Sequence, residues 1–369
     1  MSQRNHKRVL IVGQGLAGSL LALRLLALGL RPVVVEDDRA GAASRTAAGI
    51  TSPVTGPRLA RIPLAGRILP ENPRLIRELE AQLARRIFHP LPIARLFNSA
   101  KERARWAERR ERPGFSALLG PAFNAGEVPG VYGDPLGGFQ LQQGGWWDLP
   151  GLLDATRDRL EAEGLLHRTT VAHADFWPRG NRARWSGADW DAVVFCEGHR
   201  ALENRWFADL PFRYARGEVL TLRSARPLPQ TIIAGGKGVL PLDSHTLRVG
   251  ATFHRADRDT ALRAGDDGTL LAAAAEHLGH DEFEVLDRRV GVRCGSRHNV
   301  PFLGCHPRET ALYIFNGLGS KGTLQAPWYA DQLARHLTAD TPLPPEAAPP
   351  LAERRPTPIT RAHPDHPRR

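Results

Sequence analysis

The stretch VLIVGQGLAG, residues 9–18, decides the fold, because a short apolar run enters a glycine-rich turn without an intervening loop. SLLALRLLALG, residues 19–29, then has the length and apolar content of a buried helix, and RPVVVED, residues 31–37, is typical of a second strand. Strand, turn, helix and strand in this order predict a parallel βαβ unit. The turn has the spacing G-x-G-x-x-G, which in this context predicts a dinucleotide site rather than a plain glycine-rich loop.

Each position of this first turn has a predicted task. Gly13 permits the tight bend, Gly15 lets a pyrophosphate approach the backbone, and Gly18 lets the helix pack closely on the strand. Leu16 and Ala17 open the helix, whose N-terminus offers N–H groups and a partial positive charge to phosphate. We therefore expect these five residues to bind the cofactor.

The second strand ends in Glu36 and Asp37, two more predicted cofactor residues. Glu36 follows Gly18 by 18 residues, a position from which a carboxylate accepts hydrogen bonds from ribose hydroxyls. A carboxylate there repels a 2′-phosphate, so the pattern disfavours NADP and leaves FAD and NAD as alternatives.

The segment GAASRTAAGITSPVTGPR, residues 41–58, consists almost entirely of small or hydroxylic residues. Such a segment can run beside a long dinucleotide, with backbone amides and the hydroxyls of Ser44 or Thr46 reaching phosphate. The alternative is an ordinary surface loop, although its alanines are a poor choice for exposure alone. We predict that Ser44, Ala48 and Gly49 contact the cofactor.

The composition is that of a globular protein with two lobes or domains: 369 residues, 42% apolar and 24% charged. No apolar run reaches the ~20 residues needed to span a bilayer. The start lacks the pattern of a signal peptide, so we expect a cytoplasmic protein.

Cys196, Cys294 and Cys305 have no C-x-x-C spacing, so no metal site is expected. Reduced thiols are favoured over a disulfide between Cys294 and Cys305.

The net charge of +11 is weak evidence for a nucleic-acid partner. Only four of the 50 basic residues are lysines, which leaves 46 arginines, a skew that codon bias in a GC-rich genome produces alone. The densest cluster, AKERARWAERRERP at residues 100–113, intersperses glutamates among its arginines. Such mixed signs favour a solvated helix face over an RNA contact.

The later chain returns to the first sheet and then changes in character. DAVVFCEG, residues 191–198, is an apolar strand ending in glycine, and we predict that Gly198 and the earlier Val171 contact the cofactor. From Arg216 onward, short strands such as GEVLTLR and TLRVGATF alternate with turns, which predicts an antiparallel sheet. The expected fold class is α/β, with a Rossmann-like dinucleotide-binding domain and an α+β substrate lobe built mainly on an antiparallel sheet.

Six motifs resemble, in the same order, those of the D-amino-acid oxidase superfamily of FAD-dependent enzymes, which includes glycine oxidase and sarcosine oxidase. They span roughly residues 8 to 340 and read VLIVGQGLAG with Glu36, ASRTAAGITSP, VVFCEG, GVLPLDSHTLRVGATF, GVRCGSRHNVPFLG and NGLGSKGTLQAP. The resemblance implies FAD as the cofactor. No cysteine or histidine lies in a context typical of a covalent flavin link, so we expect non-covalent binding.

The resemblance also implies a discontinuous FAD-binding domain interleaved with a substrate domain. The end of the chain is rich in Pro and Arg, which predicts a disordered tail. We expect the FAD-binding domain at residues 1–75, 140–205 and 290–355, the substrate domain at 76–139 and 206–289, and the tail at 356–369.

GLGSKG and AAGITSP are most similar to the FAD domain of the bifunctional bacterial enzyme that completes 5-methylaminomethyl-2-thiouridine at the tRNA wobble position. In that family the domain removes a carboxymethyl group from an amine by oxidation. The chain departs from the bifunctional pattern, because the first turn begins at residue 13 and no methyltransferase domain is expected. GVRCG also stands where relatives commonly have Gly-x-Arg-Pro.

NGLGSKGTLQAP, residues 316–327, is a second glycine turn between the predicted strand ALYIF and the predicted helix TLQAPWYADQLARHL. Ligands of a doubly wound sheet lie beyond the carboxyl ends of its strands, so we expect this turn at the flavin end of an extended FAD. The helix N-terminus and Lys321 would oppose the negative charge of reduced flavin and raise its reduction potential. The alternative for Lys321 is a solvent-facing lysine. The other predicted contacts are Gly317, Gly319, Ser320, Gly322 and Thr323.

Arg293 in GVRCG occupies the position where the resemblance places an arginine that binds the substrate carboxylate. A guanidinium holds a carboxylate with two parallel hydrogen bonds. A structural or surface arginine is the alternative, with Arg297 and His298 as fallback candidates in the same loop. Tyr214 and His254 are weaker candidates for the pocket. The predicted catalytic residues are thus Lys321 and Arg293.

The leading functional hypothesis is an FAD-dependent oxidoreductase that oxidises a C–N bond of a small-molecule amine or amino acid. Hydride passes to the flavin, and water hydrolyses the resulting imine. One alternative is a tRNA wobble-uridine modifying oxidoreductase that removes a carboxymethyl group, which is less favoured. Another is a non-catalytic dinucleotide-binding protein. The electron acceptor and the oligomeric state are left open.

Overall fold

The first βαβ unit consists of strand Val9–Val12, helix Leu16–Ala27 and strand Val33–Glu36, as the opening motif predicts. The computed structural model describes residues 7–37 and 41–351. The tail expected to be disordered, residues 356–369, lies outside the described residues. No helix within the described part of the chain is long and apolar enough to cross a membrane.

Six strands form a mainly parallel sheet, which we call the Rossmann sheet. Its order places Val9–Val12 and Leu312–Asn316 on either side of Ala192–Phe195, so the turns that follow the two outer strands of this trio lie at one edge. The strands are short, β-branched and largely buried, as expected when both faces of a parallel sheet are covered. In spatial order they are Leu166–Arg168, Val33–Glu36, Val9–Val12, Ala192–Phe195, Leu312–Asn316 and the antiparallel edge strand Phe302–Cys305.

The described residues contain seven α-helices. Leu75, Leu79 and Leu83, spaced four residues apart, predict an amphipathic helix at residues 71–88, whereas the longest helix, α3, begins and ends earlier. It ends at Leu83 because Ala84 adopts a left-handed conformation (φ 46°). Asp148 and Pro150 predict a helix start at their position, and α5 begins there; the Asp148 Oδ1 accepts the Gly151 N–H at 3.0 Å. In chain order the helices are α1 Leu16–Ala27, α2 Ala43–Thr46, α3 Ala65–Leu83, α4 Ala100–Arg110, α5 Leu149–Ala162, α6 Ala264–Leu278 and α7 Gly322–Ala339.

Helices α1 and α7 pack against each other, and each begins directly after one of the two glycine turns. Their apolar residues share one core with the Rossmann sheet. Within that core the Nη2 of Arg24 on α1 lies 2.6 Å from the Oδ1 of Asp331 on α7, and both side chains are buried. The ion pair and the apolar contact together fix the two helix N-termini relative to each other.

A nine-stranded, mainly antiparallel sheet forms the other half of the molecule, as the sequence predicts. Its longest strand, Phe283–Ser296, pairs along its length with Phe212–Ser224. On its other edge, Phe212–Ser224 pairs with His254–Arg255 and with Thr246–Gly250. From Thr246–Gly250 the sheet continues, in spatial order, through Gly238–Pro241, Ile232–Ala234, Ile93–Leu96, Gly138–Leu141 and Leu119–Phe123.

Smaller elements connect the two large sheets. The described residues include two three-stranded sheets, one two-stranded sheet and four short 3₁₀ helices. The strands are Ile50–Thr51, Gly145–Trp147 and Phe88–Pro90; Trp177–Arg179, Arg182–Trp185 and Ala188–Trp190; and Val54–Thr55 with Ala60–Arg61. The 3₁₀ helices are His173–Asp175, Gly198–Leu202, Gly319–Lys321 and Pro345–Ala347.

The predicted domain bounds match the two large sheets to different degrees. All six strands of the Rossmann sheet lie within the ranges expected for the FAD-binding domain. In the nine-stranded sheet, Gly138–Leu141 and Phe283–Ser296 cross expected boundaries. The exact bounds therefore stay a prediction.

Candidate active site

One continuous cavity lies beyond the carboxyl ends of the Rossmann strands and reaches the nine-stranded sheet. Both glycine turns line it, with Gly13 and Gly15 from the first and Gly319 and Gly322 from the second. Most residues predicted to bind the cofactor come together here. Those that line the cavity are Gly13, Gly15, Leu16, Ala17, Glu36, Asp37, Ser44, Ala48, Gly49, Val171, Gly198, Gly319, Ser320, Gly322 and Thr323.

The first turn requires glycine for close backbone packing. Gly13 has a φ of 101°, and a Cβ there would lie 2.7 Å from the Cys196 carbonyl oxygen. Gly18 does not line the cavity; a Cβ on it would lie 1.9 Å from the Gly13 carbonyl oxygen. Gly15 differs, because a Cβ there would meet only the Ser44 Oγ, at 3.4 Å. No protein atom therefore excludes a side chain at position 15, and the open space there is available to a ligand.

The polar groups around the first turn also act on its backbone. The Glu36 carboxylate lies at the end of its strand and accepts the Gln14 N–H, which fixes the turn against the second strand. Ser44 Oγ accepts the Leu16 N–H at 3.0 Å, so this hydroxyl sits at the N-terminus of α1, where a phosphate was expected. Asp37 Oδ2 accepts a hydrogen bond of 2.5 Å from Arg200 Nη1.

The small-residue segment runs between the Rossmann half and the nine-stranded sheet. Helix α2 packs on the strand Phe283–Ser296, where a Cβ on Gly291 would lie 2.9 Å from Thr46. The Thr46 hydroxyl donates to the Val290 carbonyl at 2.9 Å rather than facing phosphate. Eight residues of this segment line the cavity: Ala42, Ala43, Ser44, Thr46, Ala47, Ala48, Gly49 and Ile50. The segment therefore forms one wall, as its composition suggested.

The second turn lies against the strand that carries Arg293. Leu318 forms an isolated antiparallel bridge with Gly295, and a Cβ on Gly295 would lie 3.3 Å from the Gly319 Cα. Helix α7 then begins at Gly322 without a side-chain cap, and Gly322 and Thr323 of its first turn line the cavity. Gly317, with a φ of 83°, lies against the Phe302 ring instead of the cavity.

Lys321, the residue before α7, does not line the cavity although its neighbours do. Its charge interacts with Arg293 and Arg95 of the nine-stranded sheet. Burial, together with these two positive charges, lowers the pKa of Lys321 to about 8. The lysine is thus partly buried on the substrate side of the turn.

Arg293 lines the substrate end of the cavity. Its guanidinium carbon lies 5.7 Å from the centroid of the exposed Phe253 ring. Within residues 7–37 and 41–351 no carboxylate lies within ion-pair distance of Arg293, and burial lowers its pKa. A partly buried guanidinium at the end of a cavity, without a carboxylate partner among the described residues, is suited to an anionic ligand group.

The fallback residues lie differently. Arg297 and His298 are exposed in the turn after the strand. Tyr214 is partly buried beside Cys294, and burial raises the pKa of both side chains, that of Cys294 to about 12. His254 bonds to Asp266 at 2.9 Å, within a buried charge network below the sheet. All three cysteines are free, and no group of residues suited to a metal ion occurs in the described part of the chain.

Sequence reasoning missed Arg95, His199 and Arg200. His199 and Arg200 line the cavity near Asp37, and the motif VVFCEG that precedes them was followed only as far as its glycine. Arg95 is the one residue of the strand Ile93–Leu96 that is not buried, and the period of two along a strand places it on the same face as Ile93. That signal fixes the face but cannot give its distance from Lys321.

These residues fit FAD. Two helix N-termini lie along one cavity, as expected for a molecule with a pyrophosphate at one end and an electron-accepting ring at the other. Glu36 is placed for ribose hydroxyls, and the open space beside Gly15 lets a ligand reach the backbone. Fold and site therefore define a two-part oxidoreductase with a Rossmann nucleotide half and an antiparallel substrate half.

The chain belongs to the FAD dependent oxidoreductase family (DAO), whose model matches residues 8–336. The expected superfamily, the fold class and FAD as cofactor are thereby confirmed. The roles of individual site residues stay predictions.

Curated relatives and solved structures agree with this assignment. The tRNA 5-methylaminomethyl-2-thiouridine biosynthesis bifunctional protein MnmC of Caulobacter sp. (strain K31) is 29% identical over 92% of this chain and 56% of its own length. Its counterpart from Azoarcus sp. (strain BH72) is 28% identical over 92% of this chain and 58% of its own. The chain thus spans a little over half the length of these relatives.

Two solved structures share the fold. Glycine oxidase from Geobacillus kaustophilus has a TM-score of 0.78 and 23% identity, over 93% of this chain and 98% of that one. Iminodiacetate oxidase (IdaA) from Chelativorans sp. BNC1 has a TM-score of 0.79 and 22% identity, over 93% and 99% of the two chains.

Proposed function

We propose that the chain oxidises a C–N bond of an amine or amino acid that carries a carboxylate. The observation that carries the proposal is Arg293, a partly buried guanidinium without a carboxylate partner among the described residues, at the substrate end of the FAD cavity. A fixed, unpaired arginine favours a ligand carboxylate that it can hold with two hydrogen bonds.

The residues of the chain orient the substrate and stabilise the charge that develops during oxidation. Arg293 fixes the carboxylate, and an amine next to it on the substrate then faces the cavity wall formed by Gly319 and Gly322. Bound FAD would supply the two-electron oxidant that accepts a hydride from the C–H bond next to the amine nitrogen, and water would hydrolyse the resulting imine. The N-terminus of α7 carries roughly half a positive charge and stabilises negative charge that develops beside it. A neutral amine needs no enzyme base, so orientation provides most of the rate.

Anaerobic titration of the purified flavoprotein tests this proposal. We expect glycine, N-methylglycine or a D-amino acid to bleach the visible flavin absorption. Methylamine and dimethylamine, which lack the carboxylate, should leave the spectrum unchanged. If no carboxylated amine bleaches the flavin, this proposal fails for free amines, and either a tRNA substrate or the non-catalytic alternative replaces it.

A second candidate function is oxidation of a carboxymethylamine side arm on tRNA. The similarity to relatives named for tRNA 5-methylaminomethyl-2-thiouridine biosynthesis favours it, together with the net charge of +11. Nucleoside analysis of tRNA carrying the carboxymethylated wobble uridine, before and after incubation with the protein, tests it. Turnover of free glycine or N-methylglycine near the ordinary ~10 s⁻¹ would argue against a tRNA substrate.

A further inference from the structure

An exposed aromatic ring lies beside Arg293 at the edge of the nine-stranded sheet. Phe253 is 51% exposed, and the centroid of its ring lies 5.7 Å from the guanidinium carbon of Arg293. Arg293 lines the cavity, whereas Phe253 does not. The ring therefore stands at the rim of the substrate end, within reach of solvent and of a ligand that Arg293 holds.

The strand register puts Phe253 on the face of the sheet that lines the cavity. Arg216 pairs with His254, so the register continued by one residue places Phe253 opposite Gly217. On its other side Gly217 pairs with Gly291, and both glycines line the cavity. Because neither glycine has a side chain, this row of three residues leaves the space between the Phe253 ring and the cavity open.

The neighbours of Phe253 fix its direction from the opposite face. The Thr252 hydroxyl donates to the Asp266 carboxylate at 3.1 Å, and His254 Nε2 lies 2.9 Å from the same carboxylate. The buried guanidinium of Arg216 pairs with Asp266 at 2.8 Å. Since side chains alternate along an extended segment, the anchoring of Thr252 and His254 beneath the sheet directs Phe253 to the cavity face.

Arg255 adds a positive charge at the same rim. Its side chain is exposed, and its guanidinium carbon lies 5.9 Å from the centroid of the Phe253 ring. The next two carboxylates along the chain, Asp257 and Asp259, pair with Arg263 at 2.8 and 3.2 Å. Within residues 7–37 and 41–351 no carboxylate lies within ion-pair distance of Arg255. An exposed aromatic ring beside such a guanidinium is suited to a nucleobase and its phosphate.

We propose that the amine nitrogen of the substrate carries a nucleobase on a short linker, and that this base stacks on Phe253 while Arg293 holds the carboxylate. This inference deepens the proposed function and rests on it, since it names the second substituent of the nitrogen. A base next to the amine can reach Phe253, because the ring lies only 5.7 Å from the group that binds the carboxylate. Phe253 then determines specificity at the rim, and Arg255 contacts a phosphate of the same nucleotide.

Binding of matched non-oxidisable ligands to the FAD holoprotein tests the proposal. The ligand (uracil-5-ylmethylthio)acetate carries a planar base, its dihydrouracil counterpart has the same polar groups on a puckered ring, and (methylthio)acetate has no ring. Sulfur replaces the amine nitrogen in each, and perturbation of the flavin spectrum gives the dissociation constants. We expect the planar base to bind at least about 10-fold more tightly than either of the other ligands, since neither of them can stack.

Variants assign the preference to the aromatic ring. Phe253→Leu keeps an apolar side chain, and it should bring the planar and puckered bases to within about twofold of each other. Phe253→Tyr should retain the preference. In both variants the constant for (methylthio)acetate should change less than about threefold. Trp177→Leu is the matched control, because Trp177 is an exposed aromatic residue on a separate sheet and does not line the cavity.

The phosphate contact distinguishes a nucleotide from a free base. With the same thioether arm on uridine 5′-monophosphate, the dissociation constant should be about 5-fold lower than with the arm on uridine. Arg255→Met should abolish this gain and leave the constant for the uridine form unchanged. Equal binding of the two forms by the wild-type protein would contradict the role of Arg255.

Equal affinity of the wild-type protein for the planar and puckered bases would overturn the inference without any variant. A preference that persists in Phe253→Leu would overturn it as well. So would a Phe253→Leu protein in which every ligand weakens equally, since that assigns Phe253 to the support of Arg293. Failure of the proposed function is separate, because it is read from bleaching by amines and not from thioether binding.

Discussion

The two glycine turns use the same device, a helix N-terminus beside a cavity, in opposite electrical surroundings. At the first turn a carboxylate, Glu36, bonds to the backbone, and α1 has no basic residue in its first turn. At the second turn α7 begins behind Lys321, which faces two arginines. The first turn is suited to the ribose and pyrophosphate groups of the cofactor, which do not react. The second end concentrates positive charge where substrate and electrons arrive.

The glycines of the two turns also differ in what they allow. Gly13 and Gly18 let protein backbone approach protein backbone, so a side chain there collides with the fold itself. Gly319 lets the second turn approach the strand at Gly295, which joins the nucleotide half to the substrate half. The comparison teaches that similar motifs serve binding at one end and coupling between domains at the other.

The largest expected effect comes from placing a negative charge at the first turn. Gly15→Glu should reduce FAD affinity more than ~100-fold, because a carboxylate would occupy the space of the pyrophosphate and repel it. The fold should persist, since a Cβ at Gly15 meets only Ser44 Oγ, at 3.4 Å. The flavin-to-protein ratio after purification measures the effect. Gly66→Glu, on the open surface of α3, is the control; a yellow Gly15→Glu protein with full flavin content would contradict the cofactor site.

At the second turn the largest effect should come from Arg293→Met. Loss of a partly buried partner of the substrate carboxylate should lower kcat/KM about 100-fold, mostly through KM. The matched variant Arg297→Met removes an exposed guanidinium from the same loop and should change kcat/KM less than about threefold. If the two variants exchange these effects, Arg297 and not Arg293 binds the carboxylate.

A smaller effect is expected from pH. The dissociation constant of the FAD holoprotein for (methylthio)acetate, a carboxylate without an oxidisable amine, should rise about 10-fold from pH 6.5 to pH 9.5, because Lys321 loses a positive charge near the strand of Arg293. The sign follows from a pKa of about 8 in the free protein, above which the lysine loses its charge. Burial raises the pKa of Cys294, the residue after Arg293, to about 12, so this thiol stays neutral over the same range. Perturbation of the flavin spectrum measures the constant, and a value independent of pH would exclude a contribution of Lys321 to carboxylate binding.

The smallest effect should come from the carboxylate at the first turn. Glu36→Gln keeps the shape and an acceptor oxygen, so FAD affinity should fall only about 5-fold, roughly 1 kcal/mol. Titration of the apoprotein with FAD measures it. Glu284→Gln, on an exposed side chain paired with Arg223, should leave FAD affinity unchanged. An unchanged affinity in Glu36→Gln would place the ribose elsewhere.

The sequence was sufficient for the Rossmann half because local signals there coincide with the fold. A β-branched strand, a glycine turn and an apolar helix recur at residues 9–29 and 311–337, and strand order follows from the βαβ rule. The end of α3 was misplaced because its stop is a left-handed alanine, Ala84, which no glycine or proline announces. Backbone conformation at such a position depends on tertiary packing.

The site could be predicted in its nucleotide part and less well in its substrate part. Glycine spacing encodes a local turn, whereas the meeting of Lys321, Arg293 and Arg95 depends on three separate elements. The sequence placed Lys321 beside the flavin. Its side chain instead lies outside the dinucleotide cavity, because the Leu318–Gly295 bridge turns this loop toward the sheet. Its effect on the flavin potential stays a prediction.

The strand Phe283–Ser296 contacts α2, the 3₁₀ helix Gly198–Leu202 and the second glycine turn within 14 residues. Its alternation places Arg289, Gly291 and Arg293 on one face, where Gly291 admits α2 and Arg289 donates to the Arg45 carbonyl at 3.1 Å. Deleting Arg288 alone would transfer all three to the reverse face relative to the residues before it. The guanidinium would then point away from FAD even though every side chain except the deleted one remained. Whether Arg293 faces the cavity thus depends on whether the number of residues before it in this strand is odd or even.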